Sequence, residues 1–71
     1  MIDEKLKTQY ANRAMKRIVD DGNRIQEMIG KLDYQLSVGT PETASEIVNI
    51  LGNLNIQMDG DLAALTGILE Q

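Results

Sequence analysis

The sequence contains no cysteine, no histidine, no phenylalanine and no tryptophan. Without cysteine the chain has neither disulfides nor thiolate metal sites. Without histidine it lacks the commonest metal ligand and the usual general base. Tyr10 and Tyr34 are its only aromatic residues, so any core is assembled from Ile, Leu, Val, Met and Ala. That palette suits helix packed on helix. No stretch approaches the roughly 20 apolar residues of a membrane span. The opening Met1-Ile2-Asp3-Glu4-Lys5 has no apolar core of the signal-peptide kind. The expected address is therefore the cytoplasm, with no membrane association.

These absences weigh heavily on a chain of 71 residues. Ordering each residue costs about 1.5 kcal/mol, and a chain this short buries a poor fraction of its surface. Disulfides are excluded, and nothing suggests a structural metal. Association between subunits is the remedy that remains, so a homodimer or higher oligomer is expected.

Charge is unevenly placed. The net value is −4, yet all seven Lys and Arg fall within residues 1–37 beside six acids, giving +1. Residues 38–71 carry five acids and no base, giving −5. Segments of opposite sign can attract within one chain or orient one copy against another.

Hydrophobic spacing predicts helices throughout. Ala11, Met15, Ile18, Gly22, Ile25, Ile29, Leu32 and Leu36 recur at intervals of four and three, as in a heptad seam. Upstream, Ile2, Leu6, Tyr10, Ala14 and Ile18 form a second stripe that meets the seam at Ile18. Asp20-Asp21-Gly22-Asn23, with Gln26 three residues later, resembles a helix end and a new capping box. The seam nevertheless resumes in phase beyond it, which favours one helix over about 3–37, bent at most at Gly22.

Val38-Gly39-Thr40 reads as a turn, with Gly39 expected in a left-handed conformation and Thr40 as the next N-cap. Pro41 then occupies the first helical position and Glu42 the positive first turn. So short a connection makes the two helices antiparallel neighbours. On the second helix Ala44, Ile47, Val48, Ile50, Leu51, Leu54 and Met58 share a face. Asp59-Gly60-Asp61 offers a stop there, and Leu62, Leu65, Ile68 and Leu69 stay on the same face if the helix runs on. A helix over about 41–58 thus continues, or restarts over 62–70. The whole chain reads as a single all-α domain, a long antiparallel helical hairpin assembling into a homo-oligomeric bundle. Its core and oligomer seam is expected at Met15, Ile18, Ile25, Ile29, Leu32, Leu36, Ile47, Leu51, Leu54, Met58 and Leu65.

Little in this inventory supports catalysis. Asp20-Asp21 and Asp59-Gly60-Asp61 are the close acidic pairs, and both sit beside glycine, where Asp commonly serves turns and caps. Neither matches a calcium-binding loop, and the scattered glycines form no phosphate cradle. No metal, cofactor or enzymatic activity is expected. The chemistry that stands out is basic: Arg13, Arg17, Arg24 and Lys31 share an arc of the first helix, with Lys5 and Lys16 alongside and Tyr10 at its border. Guanidinium groups grip phosphate, and a tyrosine ring stacks on a base or on arginine. Opposing this, Asp20 and Glu27 interrupt the arc and can pair with Lys16, Arg24 and Lys31. Glu46, Asn49, Asn53 and Gln57 form a polar ladder on the second helix, beside an outward Ile56.

These features point to a non-enzymatic protein that binds another macromolecule as a helical homo-oligomer, in the manner of a regulator, inhibitor or adaptor. A virus-encoded antagonist of a host factor falls within that class. One alternative is a sequestering protein that holds a small anionic, nucleotide-like ligand between subunits through Tyr10, Arg13, Lys16, Arg17 and Arg24. A second is RNA binding along the same basic face.

Overall fold

A computed structural model describes residues 3–71. The chain forms two helices, α1 (Glu4–Val38) and α2 (Pro41–Leu69), packed against each other as an antiparallel hairpin with extents of 53 × 14 × 10 Å. Ile2 of the second stripe lies outside the described residues.

Local chemistry accounts for the helix boundaries. Asp3 caps α1, its carboxylate accepting from the Lys5 amide, and Glu4 lies in the positive first turn. Thr40 caps α2, accepting from the Thr43 amide at 3.2 Å, with Pro41 entering the first turn. Neither Gly22 nor Gly60 interrupts its helix, and no described residue has positive φ. The Asp-Gly elements at 20–23 and 59–61 are therefore helical, and the expected turn and capping roles for their acids do not hold. The left-handed cap expected at Gly39 is also absent. This residue closes α1 in an extended conformation, φ −100° and ψ −158°, and its amide donates to the Gln35 carbonyl. Its requirement for glycine is one of space instead. A Cβ here would fall on the Gln35 Oε1, 2.7 Å from Cδ and 2.9 Å from the carbonyl oxygen.

Contact between the helices follows two heptad seams. On α1 the inward positions are Lys7, Ala11, Ala14, Ile18, Asp21, Ile25, Met28, Leu32 and Gln35. On α2 they are Ala44, Ile47, Leu51, Leu54, Met58, Asp61, Leu65 and Ile68. The α1 seam shares Ala11, Ile18, Ile25 and Leu32 with the spacing read from sequence. Its alternate column is displaced by one residue, so Ala14, Asp21, Met28 and Gln35 face α2. Met15 and Ile29 are each 52% exposed and Leu36 is 71% exposed. Two apolar columns lie side by side on α1, and periodicity alone does not choose between them. The choice falls to the two-residue connection at Gly39-Thr40, which sets the direction from which α2 approaches.

The resulting core is thin. Ala14, Ala44 and Ile47 are its buried apolar residues, and no described side chain is completely enclosed. Ile18, Ile25, Leu32, Leu51, Leu54, Met58 and Leu65 are half-buried. Lys7 Nζ reaches the Gln71 carbonyl at 3.0 Å and ties the open ends of the hairpin together.

Candidate functional site

Side chains flanking the seam give the hairpin two unlike faces. One carries Tyr10, Arg17, Arg24 and Lys31 of α1, spaced by seven, beside Thr43, Ile50, Gln57 and Ala64 of α2. Two shallow grooves lie on it. The first is lined by Arg17, Asp20, Asp21, Arg24, Gln57 and Asp61. The second lies nearer the turn and is lined by Lys31, Tyr34, Gln35, Thr43 and Ile47, among others.

The basic cluster read from sequence is only partly brought together. Arg17 and Arg24 share a groove, whereas Lys16 lies on the outer side of α1 and lines neither of these two. Arg13 sits over the Tyr10 ring, its guanidinium carbon 5.7 Å from the centroid, a cation–π arrangement. Of the anticipated ion pairs, Glu27–Lys31 forms at 3.5 Å. Both partners are well exposed, so the pair adds little stability. Among the described residues, no carboxylate lies within 4.0 Å of Arg13, Lys16, Arg17 or Arg24. Tyr34 and Ile56 project outward, as their wheel positions imply.

Asp21 was not anticipated in the core. It is only 6% exposed and occupies a seam position in the middle of α1. Opposite lies Asp61, also a seam residue, and Asp21 Oδ2 has no hydrogen-bond partner. Two carboxyl groups can bond to each other only through a shared proton. The Asp21 carboxyl is accordingly held above the ordinary aspartate range. The Asp61 carboxyl, a partner only for a protonated Asp21, contributes most, followed by burial and the like charge of Asp61; Asp20 adds to the effect and Arg24 opposes it. The column 14, 21, 28, 35 would have exposed this pair in the sequence, but the glycine beside each acid pointed to turns instead.

No protein-family model, curated protein or solved structure matches this chain. Among the described residues, no group of three or more acids could hold a metal ion, and no helix is long and apolar enough to cross a membrane.

The opposite face differs sharply. Its flanking positions are Thr8, Met15, Gly22, Ile29 and Leu36 on α1, with Val48, Asn55, Leu62 and Leu69 on α2. None is charged, although such positions in a coiled coil usually carry Glu and Lys. Leu69 lines a groove at the open end with Glu4, Lys7, Thr8, Ala11 and Asn12, which places these two rows on the same side of the hairpin. Val19 widens the surface. Met15, Val19, Ile29, Leu36, Val48, Leu62 and Leu69 are between 44 and 71% exposed. Only Lys5, Asp33 and Asp59 bring charge to the next row out.

Proposed function

We propose that this protein is a non-enzymatic regulator, an inhibitor or adaptor, which acts by binding and works as a homo-oligomeric helical bundle. One observation carries the reading: the continuous uncharged face from Leu69 and Met15 to Val48 and Leu36. Soluble monomers seldom display an apolar surface running the length of the molecule, and such surfaces mark association sites. The hairpin also needs cover for its own stability, because its seam leaves most large apolar residues half-buried or exposed. The grooved basic face and the polar ladder of α2 then remain available to a macromolecular partner.

Light scattering coupled to size exclusion at micromolar concentration tests the reading. The expected particle is a multiple of the 7.9 kDa chain, and Met15→Glu with Leu62→Glu reduces it to one chain with lowered helicity. A cooperatively folded wild-type species of 7.9 kDa would overturn it.

A second reading has a specific observation in its favour. Arg13 on Tyr10, with Arg17 and Arg24 outside any ion pair, forms a cationic surface with one aromatic platform. It suits a small anionic, nucleotide-like ligand held between subunits, or an RNA backbone.

A further inference from the structure

We infer that the apolar face is covered by a second copy of this chain whose turn lies at the same end, so that α1 of each copy packs against α2 of the other. The inference rests on the homo-oligomeric reading and adds to it which helix meets which.

Size and chemistry both select a second copy as the occupant. Two helices of ~10 Å diameter, side by side over 53 Å, present a footprint on the order of 1,000 Å². A stable interface takes about 800 Å² from each partner. The face supplies Met15, Val19, Ile29, Leu36, Val48, Leu62 and Leu69, with no charge in its two inner rows and Lys5, Asp33 and Asp59 at the margins. An equally apolar and equally long surface is the complement it requires, and a second copy provides one by symmetry.

Closed pairing places a two-fold axis in the plane of the interface. Two settings keep the long axes aligned. With the axis along the hairpin, both turns lie at one end and α1 faces the other copy's α2. With the axis across it, the turns lie at opposite ends, α1 faces α1 and α2 faces α2. Facing helices are antiparallel in both settings, so helix dipoles do not discriminate between them. Charge does. Residues 38–71 carry five acids and no base, so the second setting opposes two segments of −5. The first setting opposes each of them to the segment of net +1 that holds all seven bases and six acids, so it avoids the repulsion between two acidic segments. Packed helix axes lie about 8–10 Å apart, close to the screening length of about 8 Å at physiological salt, so this difference is only partly screened.

Because the chain has no cysteine, a single Ser37→Cys change introduces one labelling site. Ser37 is exposed near the turn, and its hydroxyl bonds only to the Asp33 carbonyl of its own helix. Pulsed dipolar spectroscopy on the spin-labelled protein then measures the distance between turns. With helix spacings of 8–10 Å, turns at one end put the two Ser37 positions on the order of 20 Å apart, and outward-projecting labels on the order of 30 Å. Turns at opposite ends approach the 53 Å length of the hairpin. A peak near the shorter value supports the proposal, together with its loss in Met15→Glu, Leu62→Glu protein. A peak near the longer value overturns the orientation while homo-oligomerisation stands. Persistence of the short peak in the doubly substituted protein, still of wild-type mass, places the interface elsewhere and overturns the proposal. Absence of dipolar coupling in a 7.9 kDa particle overturns both readings.

Discussion

Replacing Gly22 by alanine tests the continuity of α1 where the sequence is most equivocal. Gly22 lies well inside the helix, with no positive φ among the described glycines, so alanine adopts the same backbone without strain. Glycine costs a helix about 1 kcal/mol relative to alanine, part of it through the greater freedom of the unfolded chain. The new methyl group would sit 3.8 Å from Met58 Cε, an ordinary van der Waals contact. A fully buried methylene contributes about 0.8 kcal/mol, and this half-buried site returns a fraction of that. The expected gain is therefore about 1 to 1.5 kcal/mol, which in a domain of this size raises the melting temperature by about 4 to 10 °C. Urea unfolding followed by circular dichroism measures it, with protein concentration fixed because association shifts the midpoint. Gly60→Ala is the control. A Cβ there meets nothing within 4 Å, so its gain comes from helix propensity alone and should be the smaller of the two. A lowered midpoint for Gly22→Ala would refute the reasoning, since it would require a non-helical backbone or a neighbour packed closely against the missing side chain.

Gly39→Ala is expected to act in the opposite sense, lowering stability by about 1–3 kcal/mol as for other overpacked sites. The Gln35 side chain can swing away, but the carbonyl oxygen 2.9 Å from the new Cβ belongs to the helix itself, and thermal unfolding should show a lowered midpoint. Asp21 binds its proton more tightly folded than unfolded, so its contribution favours folding in acid and is lost as pH rises from the ordinary aspartate range through the raised value. The wild-type stability curve, minus that of Asp21→Asn, should decline over that interval, and a flat difference would show that Asp61, Asp20, Arg17, Arg24 and Gln57 leave Asp21 unperturbed. Arg13→Glu with Arg17→Glu should abolish binding of a phosphate-bearing partner while changing stability by no more than about 0.5 kcal/mol, as exposed substitutions usually do. Fluorescence titration with a nucleotide or short RNA checks this, and unchanged affinity would reduce the basic face to a solvated surface.

Much of the fold is legible in the sequence because its signals are local. The missing aromatics, the four-three spacing and the Gly39-Thr40-Pro41-Glu42 junction each imply helices joined by a sharp turn, and the hairpin has that form. Continuity through Gly22 follows from the unbroken phase on either side. What escapes is relational. Whether Ala14 or Met15 faces α2 depends on the path of the connection, which no spacing rule encodes. The acidic pair is hidden for the same reason: Asp21 and Asp61 are 40 positions apart, and each has a sufficient local explanation in the glycine next to it. Gly39 shows a subtler mismatch, since glycine is required there, but for steric room beside Gln35 and not for a left-handed backbone. The basic face is legible as a composition, yet only the fold separates Arg17 and Arg24 in a groove from Lys16 on the outer side.

A hairpin one layer thick has no interior remote from solvent, and that shapes how its amides exchange with deuterium. Within one chain each amide is shielded by its own helix and a single neighbour, so opening within the hairpin proceeds by fraying and unzipping along the long axis. At the open end, beyond Ala11 and Ile68, the two helices are joined by the Lys7–Gln71 hydrogen bond, with Leu69 lying beside Thr8. Exchange should be fastest there and slowest between Ile18 and Leu32, the stretch flanked by half-buried residues of α2. The Asp21–Asp61 layer lies near one edge of that slow zone. Raising the pH through the raised Asp21 value should loosen that edge first and leave the stretch from Ile25 to Leu32 protected, a pattern readable residue by residue.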